Sequence, residues 1–385
     1  MPPRVLIASH LFPSVQRPTS APWLAEQVSA LVGAGIGVDV LCCSPFEKDV
    51  DVTLSAGGKA VPVHYRSTSA GPMNGTRAGI LLSAARYTGQ ARRYLDDGAD
   101  RYDVLHAHFG FPDGFVMVRE GLRRSVPTVV TLHGSDVTSV LARPGALSRV
   151  VSRRIASATN LVCVSRALER AAQEVLPEEA STLVIHNGYD ARLFRPDGEK
   201  RDLGYLFVGA LRPVKGVDAL VDTYLENRDL WDLPLTIAGS GPLEGALKRR
   251  SAGAEDGANV RFLGELPREK VADAMRRASA LILPSRQEGY GVVVAEALAC
   301  GTPVVASRVG ALDEIMADPR TGVLIEADDR HGLSEAMRAV RRWPYPAGEV
   351  ASASAARPWH EQAEEIARLY GEILRERYDR AATDG

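Results

Sequence analysis

The sequence predicts an α/β protein of two domains, each built on a parallel sheet covered by helices. Three observations predict it. Short runs of branched apolar residues alternate with helix-length segments along the whole chain, which is the rhythm of strand–helix–strand units. That rhythm breaks once, across residues 187–202, where Asn187-Gly188 is followed by Arg195-Pro196-Asp197-Gly198 and a charged stretch. The chain of 385 residues also exceeds what one hydrophobic core comfortably organises.

The first-half strands are predicted at residues 5–8, 38–41, 103–105, 128–132, 161–164 and 183–185, with a helix over 23–31 after the first. The second half restarts with strands at 205–208, 235–238, 260–262, 280–283, 303–306 and 323–325. An Ala/Ser stretch, 351–356, reads as a connector to a last helix over 359–377. The predicted domains are therefore 1–190, 191–355, and a closing helical segment 356–385. In open parallel sheets ligands bind beyond the carboxyl ends of the strands, so the residues just after each strand are where chemistry is expected.

Composition narrows the function classes. A formal net charge of -2, with arginines scattered and no basic tail, gives no electrostatic footprint for nucleic acid. Cys42, Cys43, Cys163 and Cys300 show no C-x-x-C spacing and sit beside apolar runs, so they read as reduced, buried thiols of a cytoplasmic protein. The apolar run 5–8 is too short for a signal-peptide core, and no later run reaches the length of a membrane span.

The stretch 284–303 is the most informative. A glycine-containing loop carries Glu288, and a helix starting near Gly291 carries Glu296 among alanines and leucine. An unpaired carboxylate in such an apolar helix is costly, so Glu296 is expected to have a buried or ligand partner. In the run 208–216, Arg212 and Lys215 precede a helix start, where positive charge is unfavourable unless an anion is near.

Glu288 and Glu296, with seven residues between them in the form Glu-Gly-x-Gly, Glu-Ala and Gly-x-Pro-Val-Val-Ala, resemble the donor motif of retaining glycosyltransferases of family 4. The loop Val208-Gly209-Ala210-Leu211-Arg212-Pro213-Val214-Lys215-Gly216 is similar to that family's loop after the first strand of the C-terminal domain. The resemblance implies the GT-B fold: two Rossmann-like domains facing a cleft, with the C-terminal helix crossing back to the N-terminal domain. It implies that Arg212 and Lys215 hold a donor diphosphate in place of a metal, that Glu288 binds sugar hydroxyls, and that Glu296 binds the ribose. Gly209, Gly239, Leu263, Gly289, Tyr290 and Gly291 fall on the same donor side, Gly239 opening the loop Gly239-Ser240-Gly241-Pro242. His133, in Thr131-Leu132-His133-Gly134-Ser135-Asp136, is assigned by resemblance to the donor sugar. His10, Phe12, His108 and Asp136 are expected on the acceptor side. The first loop departs from the family pattern, with Thr19-Ser20-Ala21-Pro22 where relatives carry a glycine-rich turn.

Three other features read as structural. His106 and His108 share a strand but have no third ligand at a metal-binding spacing. Asp49-Val50-Asp51 matches the D-x-D of metal-dependent transferases only superficially and is expected in a loop. The helix predicted over 76–95 carries Arg77, Arg86, Arg92 and Arg93 and reads as an amphipathic surface helix ahead of a membrane-contacting one.

The implied function is metal-free, retaining transfer of a hexose from a nucleotide sugar, UDP ahead of GDP, to a hydroxyl acceptor. No cofactor is expected beside that donor. The acceptor is expected to be a small natural product or a cell-envelope glycan or lipid, reached by front-face attack in which the leaving phosphate helps to deprotonate it. Two rival readings are a sugar-nucleotide epimerase of the same fold, which needs no acceptor, and a non-catalytic sugar-nucleotide-binding protein.

Overall fold

A computed structural model describes residues 2–69, 77–98, 101–198, 201–230, 232–253 and 259–383. The chain divides into two compact units, Met1–His186 with Trp359–Gly385, and Asn187–Pro358. These boundaries lie a few residues from the 190/191 and 355/356 read from the sequence.

Unit 1 runs β1 (Arg4–Ser9), α1 (Pro22–Gly33), β2 (Gly37–Ser44), β3 (Val50–Ala56), β4 (Lys59–Ser67), α2 (Arg77–Asp96), β5 (Val104–His108), α3 (Phe115–Arg124), β6 (Thr128–Leu132), α4 (Ala146–Ile155), β7 (Asn160–Cys163), α5 (Arg166–Gln173) and β8 (Thr182–Val184). Unit 2 runs β9 (Gly188–Tyr189), β10 (Gly204–Val208), α6 (Val217–Glu226), β11 (Leu235–Ala238), α7 (Glu244–Ala252), β12 (Val260–Gly264), α8 (Arg268–Arg277), β13 (Ala278–Leu283), α9 (Val292–Ala299), β14 (Val304–Ser307), α10 (Leu312–Ile315), β15 (Gly322–Ile325), α11 (Arg330–Val340), α12 (Ala347–Ala353) and β16 (Arg357–Pro358). The chain then returns to unit 1 through α13 (Trp359–Thr383).

The sheet of unit 1 has eight strands in the order β3-β4-β2-β1-β5-β6-β7-β8, and that of unit 2 has six in the order β12-β11-β10-β13-β14-β15. Every pairing in the unit 2 sheet is parallel. In unit 1, among the described residues, only the β3–β4 pair is antiparallel. The central strands are buried on both faces, so apolar residues dominate them, with His106, His108 and Thr131 among the buried polar exceptions.

The β3–β4 hairpin and the short β9–β16 pair escape sequence reading. β3 is an exposed edge strand in which Val50, Val52, Leu54 and Ala56 alternate with polar residues, and its further signal is the Gly57-Gly58 turn, both glycines at positive φ. The hairpin also corrects the reading of Asp49-Val50-Asp51 as loop. Asp51 faces Arg66 at 2.6 Å and His64 at 3.0 Å across the pair, and Asp49 accepts the Ser67 N–H at 2.6 Å. The residues 351–353, read as connector, close α12.

On α2, Tyr87, Ala91 and Leu95 are buried while Arg86, Arg92 and Arg93 are exposed, an amphipathic helix on the sheet. The Arg77 side chain, named with them in the sequence, lies outside the described residues. Among the described residues no helix is long and apolar enough to cross a membrane.

α13 belongs to the core of unit 1. Ala363, Ile366, Leu369, Tyr370 and Ile373 join Leu24, Val28 and Leu31 of α1 and Val5, Ile7 and Val40 of the sheet in one cluster. Tyr370 Oη lies 2.5 Å from His106 Nδ1, and the Trp359 indole donates to Glu26 at 2.8 Å. Truncating one fully buried branched side chain removes its transfer free energy and leaves a cavity. Ile366→Ala is therefore expected to destabilise unit 1 by about 2–5 kcal/mol, read as an earlier urea midpoint. An unchanged midpoint would mean that α13 is not part of the folding core.

Candidate active site

In unit 2 the strand order reverses between β10 and β13, the place where an open parallel sheet offers a crevice to ligands. The loops leaving those two strands carry Arg212, Lys215 and Glu288. Gly216 closes the first loop with a φ of 65°, and a Cβ there would lie 1.9 Å from the Pro284 carbonyl oxygen. Glycine alone satisfies both demands, so the two loops press together. The Arg286 N–H donates to the Val214 carbonyl at 2.8 Å, and its guanidinium reaches Asp218 at 3.0 Å and Asp328 at 2.7 Å.

Within this frame Lys215 Nζ donates to Glu288 Oε1 at 2.6 Å, and Ser285 Oγ donates to the same oxygen at 2.8 Å. The Glu288 side chain is 8% exposed and that of Lys215 27%. Among the described residues Glu288 Oε2 has no partner and the exposed Arg212 makes no ion pair. The loops after β11 and β12 continue the same edge. Gly239, at a φ of 135°, leaves only 2.0 Å between a would-be Cβ and the Gly209 carbonyl oxygen, and its N–H donates to Gly264 at 2.7 Å. Leu263 is 43% exposed on β12. Glu296, buried on α9, accepts from Arg268 Nη2 at 2.6 Å, and that guanidinium lies 4.7 Å from the Phe194 ring centroid.

In unit 1 the order reverses between β1 and β5. His106, His108 and His133 stand there as a row of rings, stacked at 4.6 and 5.2 Å between centroids. Burial lowers the basicity of all three, joined by repulsion from neighbouring histidines at His108 and His133; His106 and His133 each fall to about 3. The row is therefore neutral at physiological pH. His108 Nδ1 lies 3.0 Å from His133 Nε2, so one of them must donate. His108 Nε2 is buried without a partner among the described residues. An orphaned N–H is rarer in proteins than an orphaned lone pair, which assigns the proton to His108 Nδ1 and leaves His133 with Nδ1–H as a neutral donor.

The model of the family described as "Glycosyltransferase Family 4" matches residues 23–193, and that of "Glycosyl transferases group 1" matches 192–343. A D-inositol 3-phosphate glycosyltransferase of Geodermatophilus obscurus is 31% identical over 351 residues, 83% of this chain and 76% of that protein. The chain belongs to glycosyltransferase family 4. Across four curated relatives the match spans 64% to 82% of the relative's own length. Among solved structures, the fold matches sucrose-phosphate synthase of Thermosynechococcus elongatus with a TM-score of 0.77 at 23% identity, covering 98% of this chain and 100% of that one. It also matches the Anabaena protein HepE in complex with UDP, with a TM-score of 0.70 at 18% identity, covering 96% and 100%. The fold is thus GT-B, and the chain is a glycosyltransferase.

The glycosyltransferase places its sequence-read residues unevenly. Lys215 and Glu288, assigned to phosphate and sugar separately, are hydrogen-bonded to each other. Four acceptor-side or donor-side expectations change. Asp136 is 3% exposed and spends its carboxylate on the backbone N–H groups of Gly110, His133, Gly134 and Val137, so it anchors loops. Phe12 packs in the core of unit 1. His108 is fully buried and acts only through His133. The Tyr290 ring is 4% exposed, which removes it as a side-chain contact. His10 stays partly exposed, paired with Asp113. Among the described residues no group of three or more His, Cys, Asp or Glu is placed to hold a metal ion.

Sequence reading missed Arg268, Ser285, Asp113 and Tyr87. The signal for Arg268 was available: it is another cation opening a helix, after Pro267, and so calls for an anionic partner. Asp113 and Tyr87 carry no local signal, because their meaning comes from a contact between distant segments.

The neutral histidines set a pH dependence. Each is deprotonated when folded but takes a proton below about pH 6.5 when unfolded, so the unfolded state binds more protons as pH falls. Stability is full above that value and is lost as pH drops towards 3. The urea midpoint of unit 1 should fall between pH 7.5 and 5.0; a flat or rising profile would show the row charged in the folded protein.

Proposed function

We propose that this glycosyltransferase moves a hexose from a nucleoside diphosphate sugar, UDP-linked in preference to GDP-linked, to a hydroxyl acceptor, with retention and without a metal ion. The observation that carries the reading is the Lys215–Glu288 contact, flanked by unpaired Arg212, at the strand-order reversal of unit 2. Cleavage of a sugar–phosphate bond leaves added negative charge on the departing phosphate. Fixed cations aimed at that charge stabilise the transition state by about 3 kcal/mol each, and two of them supply what a divalent ion supplies elsewhere.

Glu288 Oε2 accepts sugar hydroxyls while Lys215 bridges from the carboxylate to the phosphate. Glu296, steadied by Arg268, accepts the ribose hydroxyls, a task for which a carboxylate offers several lone pairs. The uncharged Nδ1–H of His133 donates to a sugar oxygen without drawing in an anion. The UDP bound by the Anabaena protein of like fold supports uridine. The inositol phosphate named for the Geodermatophilus relative supports a polyol acceptor, which extends to small natural products and cell-envelope glycans or lipids. The acceptor falls to unit 1, and its proton passes to the leaving phosphate. Nucleotide sugars and the four unpaired, buried cysteines both favour a cytoplasmic setting.

Arg212→Ala and Lys215→Ala should each lower kcat about a hundredfold, measured as UDP release from UDP-glucose. The exposed Arg212 variant should keep its thermal midpoint. Unchanged turnover in both would remove the diphosphate assignment. Ligand that binds only the folded state raises stability, by about 2.7 kcal/mol at a hundred times Kd. UDP should accordingly raise the melting temperature more than GDP at equal concentration, and the reverse order would reassign the base.

A further inference from the structure

Asp113, Tyr87 and His10 form a connected group on the acceptor side of unit 1. The Asp113 carboxylate, in the loop after β5, is fully buried. Tyr87 of α2 donates its hydroxyl to Asp113 Oδ1 at 2.8 Å, and His10 Nδ1 lies 2.5 Å from Oδ2. His10 follows β1, so this contact spans the point where the strand order of unit 1 reverses. Asp113 requires the proton on Nδ1, which leaves the neutral ring with its lone pair on Nε2. That nitrogen has no partner among the described residues, and the side chain is 28% exposed.

An aromatic wall stands beside it. The buried Phe109 ring backs it, its centroid 4.9 Å from that of His10 and 4.8 Å from that of His133, and the half-buried Trp23, 4.5 Å from His133 and 6.4 Å from Phe109, offers the more open face. Aromatic walls with one or two fixed polar groups bind ligands that are apolar on a face and polar at an edge. A sugar or cyclitol ring has that character, with C–H bonds on its faces and hydroxyls around its rim.

We infer that His10, fixed by Asp113 and Tyr87 beside Phe109 and Trp23, is the subsite for a neutral polyhydroxylated ring of the acceptor, with Nε2 accepting a hydrogen bond from a ring hydroxyl. This rests on the reading that unit 1 takes the acceptor. His10 touches the ring; Asp113 and Tyr87 are positioning residues. Burial by itself lowers the basicity of His10, but the charge and hydrogen bond of Asp113, with help from Asp136, outweigh it and raise the value above 6.5, against the opposition of Arg17. The other titratable neighbours are silent: burial keeps His133 neutral and the Cys42 and Cys43 thiols protonated. Protonated His10 has no lone pair to offer, so ring binding strengthens as pH rises through the His10 value.

The test uses the full chain labelled with 15N-histidine, His10 being assigned from His10→Gln. Asp113→Asn keeps an oxygen for the Tyr87 hydroxyl but loses the charge; Tyr87→Phe keeps the charge and loses the donor. The wild type should show the Nδ1–H tautomer and a midpoint above 6.5, and Asp113→Asn should lower that midpoint by about one pH unit or more. Tyr87→Phe, which makes the carboxylate more basic, should not lower it. Adding myo-inositol or methyl α-glucoside should shift the His10 Nε2 resonance in the wild type and not in Asp113→Asn. With UDP-glucose as donor, kcat/KM for the same rings should fall about tenfold in Asp113→Asn, about 1.4 kcal/mol, and its acidic limb should move to lower pH while UDP affinity is unchanged. An Nε2–H tautomer, an unmoved midpoint, or a resonance that neither ring shifts would overturn the inference. Failure to bind UDP strikes the donor reading alone, because the ring titration stands without it.

Discussion

The ion pair between Lys215 and Glu288 is the contact on which the rest of unit 2 depends. It joins the loops that leave β10 and β13, the two strands between which the sheet changes direction. Parallel strands deliver their carboxyl ends to one edge, and glycines without room for a Cβ, at 216 and 239, let successive loops close on one another there. Lys215 Nζ and Glu288 Oε1 stand 2.6 Å apart, and Ser285 Oγ donates to the same carboxylate oxygen. The pair is thereby ready to exchange its partner for an incoming anion.

Unit 1 solves a different problem with the same sheet architecture. Its strand ends gather three histidines whose burial strips them of charge, so they offer directional hydrogen bonds and no net field. Beside them one histidine keeps its basicity because a buried aspartate stands against it. A row of uncharged histidine rings at one carboxyl edge and the cations Arg212 and Lys215 at the other fit the proposed division, in which the first unit handles hydroxyls and the second handles phosphate. The return of α13 ties the end of the chain to this histidine row through Tyr370.

The fold was legible wherever a strand is buried on both faces, since short runs such as Val5 to Ala8 or Ala280 to Leu283, recurring between helix-length segments, mark parallel strands. It was missed at the edge strand β3 and its neighbour β4, where charges interrupt the apolar pattern and the register is set by Gly57-Gly58. In the candidate site, the loops were legible and the side-chain directions were not. Asp136 and His133 are three residues apart in one loop, yet one turns inward to cap backbone N–H groups and the other stands at the surface of the aromatic wall. Phe12 looked like a loop residue but completes the core beneath its own loop. Sequence spacing names the loop; the backbone path decides which side chain faces the ligand.

We place the anion seat at the strand-order reversal of unit 2. A crystal structure of the complex with UDP tests it most directly, through the position of the β-phosphate. That phosphate is expected within hydrogen-bonding reach of Lys215 Nζ, with the Arg212 guanidinium turned onto it and Lys215 drawn off Glu288. A β-phosphate bound elsewhere, with both cations left in solvent and the Lys215–Glu288 pair intact, would contradict it.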